Sequence, residues 1–364
     1  MHVPDGFFNA PVSVGAGAVA AAAVAVSLRG ARRELDERRA PLAGLVAAFI
    51  FAVQMINFPV GAGTSGHLMG GALAAVLVGP YTAVLCLSVV LLMQALMFAD
   101  GGVTALGVNI TLLGLVAVGV AYPLFRLVAK VLPRRRSAVT AAAFTAAFVS
   151  VPVAAMVFTL LFALGGTADI DTGTVFAAMT GVHAAIGVGE GMITALTVSA
   201  VLAVRPDLVY GARDLRAPLV LRTPSGEQTA QPTPAAPGAP ARSGARSGRP
   251  LWLGGLAATV VCACFVSFYA SSELDGLERV ATDHGIIQQA EDSATADAPT
   301  ADYGVEGVDN ERLSGGLAGL LGVSATLAVG AGVFFLARRR GAGEEEQRDA
   351  GRADSAGHAD REKV

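Results

Sequence analysis

The stretch AVTAAAFTAAFVSVPVAAMVFTLLFAL, residues 138–164, runs for 27 residues without a charge and follows directly on Arg134, Arg135 and Arg136. As a helix rising ~1.5 Å per residue it would extend roughly 40 Å, more than the ~30 Å hydrocarbon core of a bilayer. Lipid offers no partner to backbone N–H and C=O groups, so a long unbroken run of this kind selects a helix that satisfies them internally. Working outward, comparable apolar runs lie at 11–28, 41–59, 67–79, 80–99, 103–125, 174–204, 251–270 and 314–337. That predicts nine crossings. The run at 67–79 is short, glycine-rich and followed by Pro80, which predicts a broken or re-entrant helix enclosed by its neighbours. Composition agrees, with 53% hydrophobic residues, 15% charged residues and a mean hydropathy of +0.58. The expected fold class is therefore an all-α integral membrane protein: a seven-helix bundle followed by a two-helix hairpin module.

Charge fixes the expected orientation. Lys and Arg gather at 29–39, 126–136, 205–249 and 338–363, which together hold 24 of the 26 basic residues. The other two, Arg279 and Arg312, lie between the last two runs. Because cytoplasmic loops retain basic residues, this pattern predicts a plasma-membrane protein with its N-terminus outside and its C-terminus inside. A net charge of −3, with basic residues in short scattered groups, argues against nucleic-acid partners. The lipid bilayer is the expected environment.

Residues 206–250, rich in Pro, Ala, Gly and Ser over TPSGEQTAQPTPAAPGAPARSGARSGRP (223–250), read as a disordered cytoplasmic linker. They separate a seven-span domain at 1–205 from a two-span domain at 251–340, and 341–364 reads as a polar cytoplasmic tail. The external loop Glu273–Arg312 carries 11 Asp or Glu against two Arg and reads as a solvated acidic connection; at the mouth of a cation pathway it would also raise local cation concentration. Cys86, Cys262 and Cys264 sit inside apolar runs and read as small buried hydrophobes. Lysine occurs only at 130 and 363, neither followed by Ser or Thr, so the chain has no phosphate-binding P-loop and any ATP must be hydrolysed by another subunit.

The opening MHVPDGFFNAP has no Lys or Arg ahead of its apolar run, unlike a secretory signal, and Met1 is expected to be the mature terminus; cleavage near Ala20 is the alternative. On an unblocked chain, the Met1 amine, the His2 backbone nitrogen and the His2 imidazole can close fused chelate rings on one ion. A deprotonated amide donor suits a late transition metal with a tetragonal preference: Ni(II), Cu(II) or Co(II). His67, in GAGTSGHLMGG (61–71), falls on the same outer side and is the candidate fourth donor. The plainer reading, an incidental His2 and a structural His67, stays open on these residues alone. Inside the spans, Gln54 with Asn57 and His183 with Glu190 share helix faces, and Gln94, Asp100 and Asn109 lie near the outer surface. They read either as helix–helix hydrogen-bonding groups or as residues that orient His2 and His67.

Four passages carry a family resemblance: MHVPDGF at the start, QMINFPVGAGTSGHLMGGAL at 54–73, QALMFADGGVTALGVN at 94–109 and HAAIGVGEGMIT at 183–194. They resemble the CbiM/NikM substrate-binding membrane component of energy-coupling-factor transporters for cobalt and nickel. The resemblance implies a seven-helix substrate-capture bundle that holds the metal in a nearly planar arrangement through the Met1 amine, the His2 amide nitrogen and imidazole, and the His67 imidazole. It also implies a separate transmembrane coupling subunit and two ATP-hydrolysing subunits, which topple the capture subunit to expose the ion inward. SSELDGLE (271–278) and ADYG (301–304) resemble the fused small partner of this family, with Leu274 in place of the signature's proline. That similarity makes Asp275, Glu278, Asp283 and His284 candidates for transient metal contact, with a plain structural loop as the alternative.

The expected function is thus the specificity subunit of an ATP-driven importer, with Co2+ or Ni2+ as cargo and no resident cofactor. Cobalt, for cobalamin synthesis, is favoured because the fused module most resembles the cobalt branch. A membrane metal sensor or assembly protein is the alternative from another class. No HExxH or GxSxG motif occurs, so neither a zinc protease nor a nucleophile-elbow hydrolase is expected.

Overall fold

The computed structural model describes residues 1–35, 39–61, 63–215, 220–223, 226–229 and 249–361. The first module contains α1 (Ala10–Ala31), α2 (Arg39–Gln54), a small hairpin of β1 (Phe58–Gly61) and β2 (Thr64–Gly66), α3 (Gly71–Val78) and α4 (Pro80–Met97). It continues through a composite helix, α5 (Leu106–Asn109), a π-helical stretch (Ile110–Val116) and α6 (Ala117–Val131), to α7 (Arg136–Gly165) and α8 (Thr172–Val204). Two further long helices, α9 (Arg249–Cys264) and α11 (Glu311–Arg361), flank the short α10 (Gly276–Asp283).

Among the described residues, seven helices are long and apolar enough to cross a membrane: Ala10–Ala31, Pro80–Met97, Leu106–Val131, Arg136–Gly165, Thr172–Val204, Trp252–Tyr269 and Glu311–Ala337. The two remaining apolar runs form shorter elements. Ala40–Gln54 is a shorter apolar helix, and α3 has only eight residues, all buried. Eight residues reach roughly 12 Å, so the rest of that crossing is made by the extended chain from His67 to Gly70. Gly70 takes the left-handed conformation (φ 86°) that lets the extended segment turn into the helix. Asn9 caps α1 by accepting from Val12 N–H, and Asp171 caps α8 by accepting from Thr174 N–H. The buried Glu34 carboxylate supplies α4's cap from outside the helix, accepting from Thr82 N–H at 2.8 Å and from the Thr82 hydroxyl at 2.9 Å.

The C-terminal helices are part of the same core. Phe334, Val323 and Ala318 of α11 join Phe51 of α2, Leu73 of α3 and Leu87 of α4 in one buried cluster, and α9 also packs on α2. The loop between α9 and α11, expected as a solvated connection, is instead folded onto the first module. Ser271 N–H donates to Asn57 O (2.8 Å), Ser65 N–H to Leu274 O (2.9 Å) and Glu291 N–H to Asp5 O (3.0 Å). These backbone bonds, together with burial of Leu277, Val280, Ala281 and Ile286, give an acidic sequence a docked conformation.

Residues 206–215, expected as the start of the linker, pack against the first module because Leu208, Val209, Tyr210 and Ala212 are apolar and buried. Val220–Thr223 and Gly226–Thr229 pair antiparallel, and most of the rest of the expected linker lies outside the described residues. The polar tail continues the α11 helix to Arg361.

A side chain at Gly319 of α11 would place its Cβ 2.5 Å from the Ala263 carbonyl oxygen of α9. Gly319→Leu should therefore force the two helices apart at a cost of ~1–3 kcal/mol and lower the thermal unfolding midpoint in detergent. An unchanged midpoint would show that α9 and α11 do not pack this closely.

Candidate metal centre

The chain start is folded inward by two polar side chains. Asn109, at the end of α5, accepts from Val3 N–H through Oδ1 (2.8 Å) and donates from Nδ2 to Val3 O (3.0 Å), standing in for a strand partner. Asp5 accepts from the backbone N–H groups of Val103 (3.2 Å), Thr104 (2.8 Å) and Ala105 (3.2 Å), and from the Thr104 hydroxyl at 2.5 Å. Val3 and Phe7 are buried alongside, so hydrophobic and polar contacts together carry Met1 and His2 into the protein.

There the Met1 amine donates to His67 Nε2 and lies 3.2 Å from Asp275 Oδ2, with Met1 itself only 3% exposed. His67 Nε2 is 3.7 Å from the same carboxylate oxygen. With His67 Nδ1 donating to Leu68 O (3.0 Å), the ring's lone pair falls on Nε2, facing the amine. The His2 ring lies parallel to His67, with centroids 4.8 Å apart and planes 8° apart. His2 Nδ1 is 3.2 Å from Asp100 Oδ1, and its buried Nε2 has no hydrogen-bond partner among the described residues. Burial pushes the His2 imidazole down to about 4, against the opposing pull of Asp100, so the ring is neutral at pH 7 and has a lone pair to donate.

Two residues of the C-terminal module complete the surroundings. Asp275 is the N-cap of α10: its Oδ1 accepts from Leu277 N–H (2.7 Å) and Glu278 N–H (2.8 Å), while Glu278 reaches back to Asp275 N–H (2.9 Å) in a capping box. That leaves Oδ2 for the amine. Burial alone would raise the Asp275 carboxyl, but the adjacent Met1 ammonium outweighs it and holds the group well below the usual range. Burial and the nearby Asp275 charge push Glu278 up. Tyr303 donates to Asp100 Oδ2 (2.5 Å), accepts from Gln94 Nε2 (3.1 Å) and stacks on Phe98 with centroids 4.8 Å apart. Burial, followed by the Asp100 charge, raises its phenol well above the ordinary value.

The loop carrying His67 is held from α8 and α2. Glu190 accepts from Met69 N–H (2.6 Å) and Gly70 N–H (2.9 Å), and Gln54 donates to Met69 O (2.9 Å). Asn57 lines the cavity between the modules, which has a volume of about 390 Å³ and is also bounded by His2, His67, Asp100, Asp275 and Tyr303. His183 bonds Met179 O through Nδ1 (2.8 Å), and its buried Nε2 has no hydrogen-bond partner among the described residues. A Cβ at Gly276 would lie 2.6 Å from Ile186 Cδ1 and 3.3 Å from His183 Cε1, so only glycine lets α10 come this close to α8.

The structure thus gathers His2, His67, Asp275, Glu278, Gln54 and Asn57 about one cavity, with the Met1 amine against His67 and Asp275, and with Gln94, Asn109 and Glu190 bonded to the segments around them. It does not bring Asp283 or His284 there. Asp283 is eight residues beyond Asp275, off its helix face, and pairs with Arg279 at 2.8 Å; His284 closes the end of α10. Among the described residues, no group of three or more His, Cys, Asp or Glu forms a metal cluster. Asp5 and Tyr303 were not singled out from sequence as individual site residues, although both lie within quoted motifs.

The comparisons with known proteins meet this geometry. The sequence profile described as "Cobalt uptake substrate-specific transmembrane region", CbiM, matches residues 2–208. The chain belongs to this family. A PDGLE domain profile matches residues 249–339. The cobalt transport protein CbiM of Sorangium cellulosum is 36% identical over 197 residues, covering 51% of this chain and 84% of that protein. The fused nickel transport protein NikMN of Rhodobacter capsulatus is 47% identical over 113 residues, 30% of this chain and 31% of that protein. A crystal structure of a truncated transition metal transporter aligns with a TM-score of 0.50 at 27% identity, covering 56% of this chain and 99% of that one. This CbiM-family chain is accordingly a multi-pass membrane component of a cobalt or nickel transport system, and not an enzyme.

If Asn109 clamps the terminus, Asn109→Leu should leave the protein folded but expose the Met1 amine. Losing two hydrogen bonds of ~1 kcal/mol each predicts labelling by an amine-reactive probe at least ~10-fold faster than in the wild type. Equal rates would mean that the segment is held by its apolar residues alone.

Proposed function

We propose that this CbiM-family chain is the substrate-specificity subunit of an ATP-driven energy-coupling-factor importer. In this reading it captures a divalent transition metal outside the cell, with its N-terminus outside and its C-terminus inside, and delivers the ion inward. The observation that carries the proposal is the convergence of the Met1 amine, His67 Nε2 and the His2 ring in one buried place. The ion is held by the Met1 amine, the His2 amide and imidazole, and His67. Chelation through His2 Nδ1 exchanges Asp100 for the ion, and binding at the amine exchanges Asp275. Gln54, Asn109 and Glu190 fix the loops that carry the donors, and His183 and Gln94 pack behind them.

Residues 1–205 form the capture domain in this scheme. Residues 251–340 bring Asp275 and Glu278 to the site as first contacts for an arriving ion, with 206–250 as the tether. A separate transmembrane coupling subunit and two ATP-hydrolysing subunits supply the energy. Cobalt is the proposed cargo, from the resemblance of the fused module to the cobalt branch; the match to a fused nickel transport protein favours nickel as the second reading. Metal analysis of the purified protein with a native N-terminus separates the two.

Uptake of radioactive cobalt or nickel should depend on co-expression of the ATP-hydrolysing partners; binding without such dependence would support a sensor or assembly protein instead. Extending the N-terminus by a few residues should abolish tight binding while the protein stays folded, and unchanged affinity would refute the amine ligand. His67→Ala should weaken binding by roughly 10-fold or more, judged from the sensitivity of metal sites to their ligand surroundings. Wild-type uptake in that variant would make His67 structural.

A further inference from the structure

At the end of the bundle opposite the metal centre, a cavity of about 510 Å³ opens where α6 ends and α7 begins. Of its ten lining residues four are cationic, Arg126, Lys130, Arg134 and Arg135, and none is acidic. Among the described residues, Lys130, Arg134 and Arg135 make no ion pair. A topology signal requires only that basic residues lie near the helix ends. It does not require them to converge on one cavity, where their mutual repulsion is unfavourable unless an anion enters. The surroundings restrict that anion. Leu127 and Val131, on the helix that carries Arg126 and Lys130, are 60% and 77% exposed and offer an apolar strip at the level where the membrane helix ends. The 30-residue α7 starts beside the cavity with no side-chain cap and no acidic residue in its first turn, adding to the positive potential.

We propose that this cavity binds the phosphate of an anionic phospholipid headgroup, with the acyl chains lying along Leu127 and Val131. The phosphate sits among Arg126, Lys130, Arg134 and Arg135, and the lipid joins α6 to α7 at the end of the protein away from the cargo site. Basic pockets between membrane helices recognise headgroups in this way. An apolar strip beside the charge favours a lipid over free phosphate.

The test uses the purified full chain in detergent, with phosphatidylglycerol, phosphatidylcholine or inorganic phosphate added at equal concentration. Phosphatidylglycerol should raise the thermal midpoint by roughly 3 °C and phosphatidylcholine should not. The double variant Lys130→Gln/Arg134→Gln, which keeps Arg126, Arg135 and Arg136, should lose at least half of that shift while binding metal like the wild type. An equal response of variant and wild type, or of the two lipids, overturns the proposal. A matching shift from inorganic phosphate overturns the lipid as the source. Native mass spectrometry of the wild-type chain gives a reading independent of the variant: retention of phosphatidylglycerol in preference to phosphatidylcholine supports the site, and no preference overturns it.

Discussion

A charged amine cannot be left alone in a protein interior, and that constraint organises this molecule. The Met1 ammonium is buried, and its partners come from the β2–α3 loop (His67) and from the C-terminal module (Asp275). To bring them together, the chain start must fold inward on Asn109 and Asp5, the 67–70 segment must be fixed, and α10 must dock on α8. Each requirement has a visible means: the Val3–Asn109 pair, the Glu190 carboxylate on Met69 and Gly70, and Gly276 against Ile186. A buried ion pair is poor evidence of stability in itself, because desolvation offsets the attraction. Here the pairing is better read as a holding arrangement, in which Asp275 keeps the amine in place and Asp100 keeps the His2 ring in place.

The broken third crossing shows how a polar site is built inside an apolar bundle. Extended backbone at membrane depth is tolerated only where protein covers it. The 67–70 segment meets that condition: Leu68 and Met69 are almost fully buried, and Glu190 and Gln54 satisfy backbone groups on either side of Met69. Glu190 thereby fixes the two N–H groups just ahead of a helix too short to cross by itself, while Glu34 caps α4 through Thr82. Glu190 looks anomalous in a hydropathy plot and makes sense as the acceptor for those backbone N–H groups.

The sequence revealed the helical class and the apolar runs, because a ~20-residue requirement imposed by the bilayer leaves a strong one-dimensional signal. Position 67–79 could even be recognised as irregular from its glycines and Pro80. Much less could be read about the loop at 273–312. Eleven acidic side chains suggest a solvated connection, and nothing in their spacing shows that Ser65, Asn57 and Asp5 will take up its backbone hydrogen bonds across more than 200 residues of sequence. The same limit hid Tyr303, whose role depends on Asp100 in another module. Asp283 and His284, near Asp275 in sequence, lie at and just beyond the end of α10 and are not among the residues that line the cavity.

Having Asp275 and Tyr303 on the same polypeptide as Met1 changes the kinetics of assembly. Where two such modules were separate proteins, their encounter would depend on how much of each the cell makes and on two-dimensional diffusion in the membrane. Joined covalently, the second module meets the first at a local concentration set by the connection between them and not by expression level. Every copy of the chain therefore carries Asp275 and Tyr303 in one-to-one proportion with Met1, whatever the level of expression.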